Sequence, residues 1–160
     1  EYLDHSVKSP DDIERMLGIA FLGSVQRKAK LSGYKSLSEQ MYLLMKNKGL
    51  HTLALTSAAK GEKITAFSHN LGNYLASMMG HRVLVIDASP EKRQGKKKDR
   101  APDGPGLFEV LEGKTELTEA VKEIGSKLYL LPIGTTELNP NTLLESPKMA
   151  EILKQAKAKY

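Results

Sequence analysis

The amino-acid sequence predicts an α/β fold in which a mostly parallel sheet is covered by helices on both faces. Three observations carry that expectation. Near-continuous apolar runs, "LHTLALTSA", "RVLVIDAS" and "KLYLLPIG", read as strands buried on both sides. Stretches of helical length separate the first two runs and follow the third, as β–α–β crossovers require. Ser-Pro and glycine signals mark where several of those helices start and stop.

Taken in order, the first element is a helix with Ser9 as N-cap and Pro10 at its first position. Asp11 and Asp12 suit the positive end of its dipole, and Gly18 ends it. "IAFLGSV" then reads as a short strand, and the basic, small-residue stretch 26–35 as a linker. A second helix, about 36–47, places Leu37, Met41, Leu44 and Met45 on one face and closes with Lys48-Gly49. "LHTLALTSA" follows as a strand, then a loop, then a helix over about 65–79 closed by Gly80. "RVLVIDAS" is the plainest strand in the chain. Residues 90–106 are polar, basic and rich in Gly and Pro, hence loop. "LFEVLEG" and "LTEAVKEI" read as short helices and "KLYLLPIG" as a third strand. The last helix opens with Ser146 and Pro147. The predicted division is residues 1–35, a helix, strand and linker, and residues 36–160, one folded unit.

The 160 residues suit about one domain and can bury a real core. Hydrophobic residues make up 40% and charged residues 27%, as in an ordinary globular chain. The sequence has no cysteine, which excludes disulfides and thiolate metal sites. Its apolar runs are too short to span a bilayer, and Glu1 does not open a signal peptide. The net charge of +5 is concentrated in residues 27–35 and 92–100. These patches read either as solvated loops or as contacts to phosphates of nucleotide or lipid.

In such a sheet, ligands bind at the carboxyl ends of strands, here after Leu55 and after Ile86. The first of these carries "TSAAKGEKITA". A phosphate loop needs glycines so that backbone N–H groups can turn inward, a lysine for the β/γ-phosphates, and a Ser or Thr hydroxyl for Mg²⁺. Lys60, Gly61, Glu62, Lys63, Ile64 and Thr65 offer a glycine, two lysines and a threonine in a different spacing. By itself the loop reads equally as an ordinary strand-to-helix turn.

The whole length, however, resembles the bacterial tyrosine kinase domain of polysaccharide co-polymerases, the capsular and exopolysaccharide export proteins. The opening "EYLDHSVKSPDDIERMLGIAFLGSV" is similar to the family's "DxxVKSPEDIExxLGLPVLGSIP". "LALTSAAKGEKITAFSHNLGNYLASMMGHRVLVIDAS" parallels "ILVTSAxPGEGKSTTAxNLAxxLAxxGxRVLLIDAD", and "PDGPGLFEVLEGKTELTEAV" and "LYLLPIGTTELNPNTLLESPKMAEIL" match later blocks. The resemblance implies a P-loop NTPase-like three-layer sandwich, with residues 1–35 as the juxtamembrane-type segment. The family runs on past the position of Tyr160 into "YDxVIIDTPP" and a tyrosine cluster, so the fold implied here lacks the C-terminal part. A missing strand of that kind would leave a sheet edge unpaired.

Set against the family without a gap, the departures fall on working positions. "GEGKST" lands on Gly61, Glu62, Lys63, Ile64, Thr65 and Ala66. Lys63 takes the place of the second glycine and Ile64 that of the catalytic lysine, while Thr65 keeps the metal-binding hydroxyl. Of the Asp-x-Asp pair after the second strand, Asp87 remains and Ser89 replaces its partner. The ring-forming Glu-x-x-Arg-x-x-Arg pattern falls on Glu39, Tyr42 and Met45, so the acid survives and both arginines are gone.

The resemblance therefore implies a degenerate kinase domain, inactive as a catalyst and serving assembly or regulation of polysaccharide export. No cofactor is expected, with ATP and Mg²⁺ only as residual ligands. The alternative is an active ATP-dependent tyrosine autokinase in which displaced Lys60 or Lys63 replaces the missing lysine. The implied partners are the export and polymerisation machinery at the inner membrane, with self-association open and nucleic acid excluded. The implied location is the cytoplasmic face of that membrane, as part of an anchored polypeptide. Elsewhere, His69 and the scattered His5, His51 and His81 lack ligand spacing. Tyr74, Tyr129 and the helical methionines Met41, Met45, Met78 and Met79 read as core, and Tyr34, Tyr42 and Tyr160 as candidate exposed tyrosines.

Overall fold

A computed structural model describes residues 9–26, 29–58, 64–89 and 104–160. The chain packs as two compact units, Glu1–Gly49 and Leu50–Tyr160. The helix around residue 40, grouped in sequence with the kinase-like part, packs within the first.

In the first unit, helix α1 (Pro10–Leu17) begins as expected. The Ser9 hydroxyl accepts from the Asp12 N–H at 3.2 Å and the Asp12 carboxylate accepts from the Ser9 N–H at 3.0 Å, a reciprocal cap. Gly18 ends it in the left-handed region at φ 64°. "IAFLGSV" is not a strand; no neighbouring strand lies beside it among the described residues, and Ile19 is exposed. The expected linker holds a 3₁₀ turn (Leu31–Tyr34) that buries Tyr34, which removes it as an exposed tyrosine. Helix α2 (Lys35–Asn47) buries Leu37, Ser38 and Met41, whereas Leu44, expected on that face, is exposed.

The second unit is three-layered. Strands β1 (Val83–Ile86), β2 (Lys122–Gly125) and β3 (Leu128–Leu131) form one sheet in the order β1-β3-β2. β1 and β3 run parallel, with Val83 opposite Leu128 and Ile86 opposite Leu131, while β2 and β3 run antiparallel. The sheet is thus mixed. Helix α3 (Ile64–Ser77) covers the face carrying Val83, Val85 and Leu128. It comes close because Gly72 has no side chain: a Cβ there would sit 3.1 Å from both the Leu128 Cδ1 and the Val85 Cγ2. The opposite face carries the main core, Leu107, Phe108, Leu111, Leu117, Ala120, Leu131, Ile133 and Ile152. These come from β3 and its continuation, helices α4 (Leu107–Leu111), α5 (Leu117–Ala120) and α7 (Pro147–Lys159), with Leu84 and Ile86 packed against them. A further turn of helix, α6 (Pro140–Leu144), is capped by the Asn139 side chain.

Three expectations change here. "LTEAVKEI" is helical only through Ala120. Its second half is β2, because Val121 to Ile124 can complete a hairpin that Lys127 turns at φ 59°. Residues 50–56 join no ladder among the described residues, although their composition is that of a strand. Met78, expected in the core, is 61% exposed. Tyr74 is buried as expected, and Tyr129 is half-buried against Tyr160.

Candidate functional site

Parallel β1 and β3 end on the same side, and that edge is tightly stitched. The Asp87 N–H donates to the Leu131 carbonyl at 3.0 Å, carrying the ladder one residue past β1. The first two N–H groups of α4 donate to the extension of β3, Leu107 to Pro132 O at 2.7 Å and Phe108 to Ile133 O at 3.0 Å. Helix donors that have no partner within their own helix are satisfied in this way.

One carboxylate clamps the same corner. Glu109 accepts from the Gly106 N–H at 2.8 Å, from the Thr135 N–H at 2.7 Å and from the Thr135 hydroxyl. Partial burial pushes its carboxyl up, but the hydrogen bonds from the Thr135 hydroxyl and the Gly106 and Thr135 amides outweigh that and hold it below its usual range. Gly106 and Gly134 make the approach possible. A Cβ on Gly106 would collide with Pro132 O and Gly134 N and lie 2.7 Å from the Gly134 Cα. One on Gly134 would run into the Glu109 carboxylate. Beside this clasp, Glu112 accepts from the Thr136 hydroxyl and pairs with Lys114. The Lys114 ammonium and the Thr136 hydroxyl lower the Glu112 carboxyl, and Glu112 raises Lys114.

Of the residues singled out in the sequence, Lys60, Gly61, Glu62 and Lys63 lie outside the described residues. Ile64 and Thr65 form the first turn of α3, both half-buried, and the Thr65 carbonyl accepts from the Ser68 hydroxyl at 2.9 Å. Asp87 is half-buried and its Oδ1 accepts from the Ser89 N–H at 3.1 Å, a local turn that engages part of the carboxylate. Of the positions singled out by the family resemblance, the described ones thus carry a hydroxyl at Thr65 and a carboxylate at Asp87, with an isoleucine at 64. Among the described residues, no cluster of three or more His, Cys, Asp or Glu is placed to hold a metal ion. Glu39 lies half-buried on α2 in the first unit, followed by half-buried Tyr42 and Met45.

The sequence reading missed the Glu109 clasp. Its trace was there, a glycine three residues before a glutamate at a helix start in "GLFE" and a second glycine before paired threonines in "IGTTE". The trace says that each loop is tight. It does not say that the two loops meet.

No family model matches the chain. Over 134 residues it is 30% identical to EpsB of Ralstonia nicotianae, named as a tyrosine-protein kinase, an alignment covering 81% of this chain and 17% of that protein. It is 26% identical over 131 residues to the tyrosine-protein kinase wzc of Salmonella typhi, covering 81% of this chain and 18% of that one. The chain thus spans about a sixth of the length of these curated relatives. Among solved structures, the BceF tyrosine kinase domain superposes with a TM-score of 0.80 at 26% identity, covering 96% of this chain and 73% of its own. The kinase domain of Escherichia coli ETK shares the fold, with a TM-score of 0.78 at 22% identity over 95% of this chain and 69% of its own. With the α/β layers, the sheet-end geometry and these likenesses together, the chain belongs to the bacterial tyrosine kinase (BY-kinase) domains of exopolysaccharide biosynthesis proteins.

Proposed function

We propose that the chain is the kinase-like domain of an exopolysaccharide or capsule chain-length or export protein. In this reading it is catalytically inactive and acts in assembly or regulation, on the cytoplasmic side of the inner membrane within an anchored polypeptide. No helix among the described residues is long and apolar enough to cross a membrane, so the anchor in this reading lies elsewhere in the polypeptide. The observation that carries the inactivity is Ile64. Phosphoryl transfer relies on positioned charge and metal, and an isoleucine at the first turn of α3 supplies neither. Losing that lysine and one metal-linked carboxylate together removes on the order of several kcal/mol of transition-state stabilisation, and each 1.4 kcal/mol is about tenfold in rate.

The competing reading uses Lys60 or Lys63 as a displaced phosphate-binding cation and makes the chain an autokinase. Calorimetric titration with MgATP and a phosphotyrosine assay separate the two. The inactive module shows no transfer and no binding tighter than about millimolar. Lys63→Gly combined with Ile64→Lys regains nucleotide binding. Micromolar binding with tyrosine phosphorylation by the unaltered chain would overturn the proposal.

A further inference from the structure

One segment of the second unit is held mainly by side chains. Between β3 and α6, residues 135–138 include no buried residue, and Leu138 is 57% exposed. Among the described residues they take part in no backbone–backbone hydrogen bond. Their ends are fixed: Gly134 turns in the left-handed region at φ 75°, and the Asn139 side chain caps α6. In between, α4 grips two consecutive residues. Glu109 accepts from the Thr135 N–H and hydroxyl, and Glu112, about one turn further on, accepts from the Thr136 hydroxyl. The Thr136 oxygen in turn accepts from the Leu138 N–H at 3.0 Å. Lys114, which follows α4, attracts both carboxylates, and Glu137 of the loop acts on Lys114.

We propose that residues 134–139 form a strap latched to α4 by Glu109 and Glu112, which opens as one local unit when the two carboxylates lose their charge while the sheet stays folded. An ionised acceptor makes a hydrogen bond roughly twice as strong as a neutral one. A segment without buried apolar contacts draws its local stability from such bonds. Against the opposing effect of burial, the Thr135 and Gly106 donors hold the Glu109 carboxyl below its usual range, and Lys114 and Thr136 do the same for Glu112. The latch is therefore complete at neutral pH and is lost as pH falls through the closed-state values. The strap leaves β3 at the carboxyl end of the sheet, where ligands bind in folds of this class, so the charge on α4 sets the shape of that end.

Amide hydrogen exchange on the whole chain between about pH 7 and about pH 3, corrected for intrinsic exchange, tests this. The Thr135 and Leu138 amides should together lose about tenfold or more in protection. The Val83 amide, bonded to the Lys127 carbonyl in the sheet, should keep its own. Glu112→Gln at neutral pH should lower protection at Thr135 as well as at Leu138, because the two grips hold one strap. Thr136→Val, which removes the hydroxyl and no charge, should do the same. The inference is overturned if Thr135 protection does not change with pH, if Val83 loses protection at the same pH as Thr135, or if either variant leaves Thr135 protection unchanged.

Discussion

Glu109 shows how much one side chain can decide. Its two carboxylate oxygens take an amide from its own helix start and an amide and a hydroxyl from the loop after β3. Glutamine keeps the shape but turns an NH₂ toward one of those donors, so at least one bond is lost and two donors face each other. Glu109→Gln should therefore lower unfolding stability at neutral pH by about 1 kcal/mol, read by denaturant titration. The pH dependence has a definite sign. The folded carboxyl titrates below its unfolded value, so its contribution is fully present above the unfolded pKa and is lost as pH falls through the folded one. The native chain should lose stability on the acid side more steeply than Glu109→Gln, and the two curves should converge at low pH. Equal acid slopes would deny Glu109 this role.

Glycines set the spacing between elements. Gly106 meets backbone, so a methyl group there must push β3's extension and α4 apart; Gly106→Ala should cost about 3 kcal/mol and lower Tm accordingly. Gly72 meets only the ends of Leu128 and Val85, which can shift, and Gly72→Ala should cost nearer 1 kcal/mol. If the two variants were equally destabilised, backbone crowding would not be the distinguishing factor. The same contrast explains what was legible in the sequence. Helices α1, α2, α3 and α7 could be read because their caps and apolar spacing are local. β2 could not, because "AVKEI" becomes a strand only when β3 lies beside it. Residues 50–56 show the converse, a strand composition that joins no ladder among the described residues. Of the candidate site, the register of residues 60–65 against the family motif could be read one residue at a time. The Glu109 clasp joins residues 26 apart and leaves no periodic signal.

At the scale of the molecule, α3 covers one face of the sheet, and α4, α5 and α7 cover the other. The far end of α7 is held where Arg82 lies 5.5 Å from the Tyr129 and Tyr160 ring centroids, the rings themselves being 4.9 Å apart. The carboxyl end of the sheet is closed by Glu109 and by backbone bonds from α4. Both ends of this unit are thus tied by protein groups. A ligand that binds only the folded state adds about 2.7 kcal/mol at a hundred times its dissociation constant. For a chain of this size that corresponds to roughly 5–10 °C in Tm. In the proposed reading, where Ile64 stands in place of the phosphate-binding lysine, the unaltered chain should melt at the same temperature with and without about 5 mM MgATP. Lys63→Gly with Ile64→Lys should melt several degrees higher when the nucleotide is present. A rise of that size in the unaltered chain would mean that displaced lysines hold the nucleotide after all.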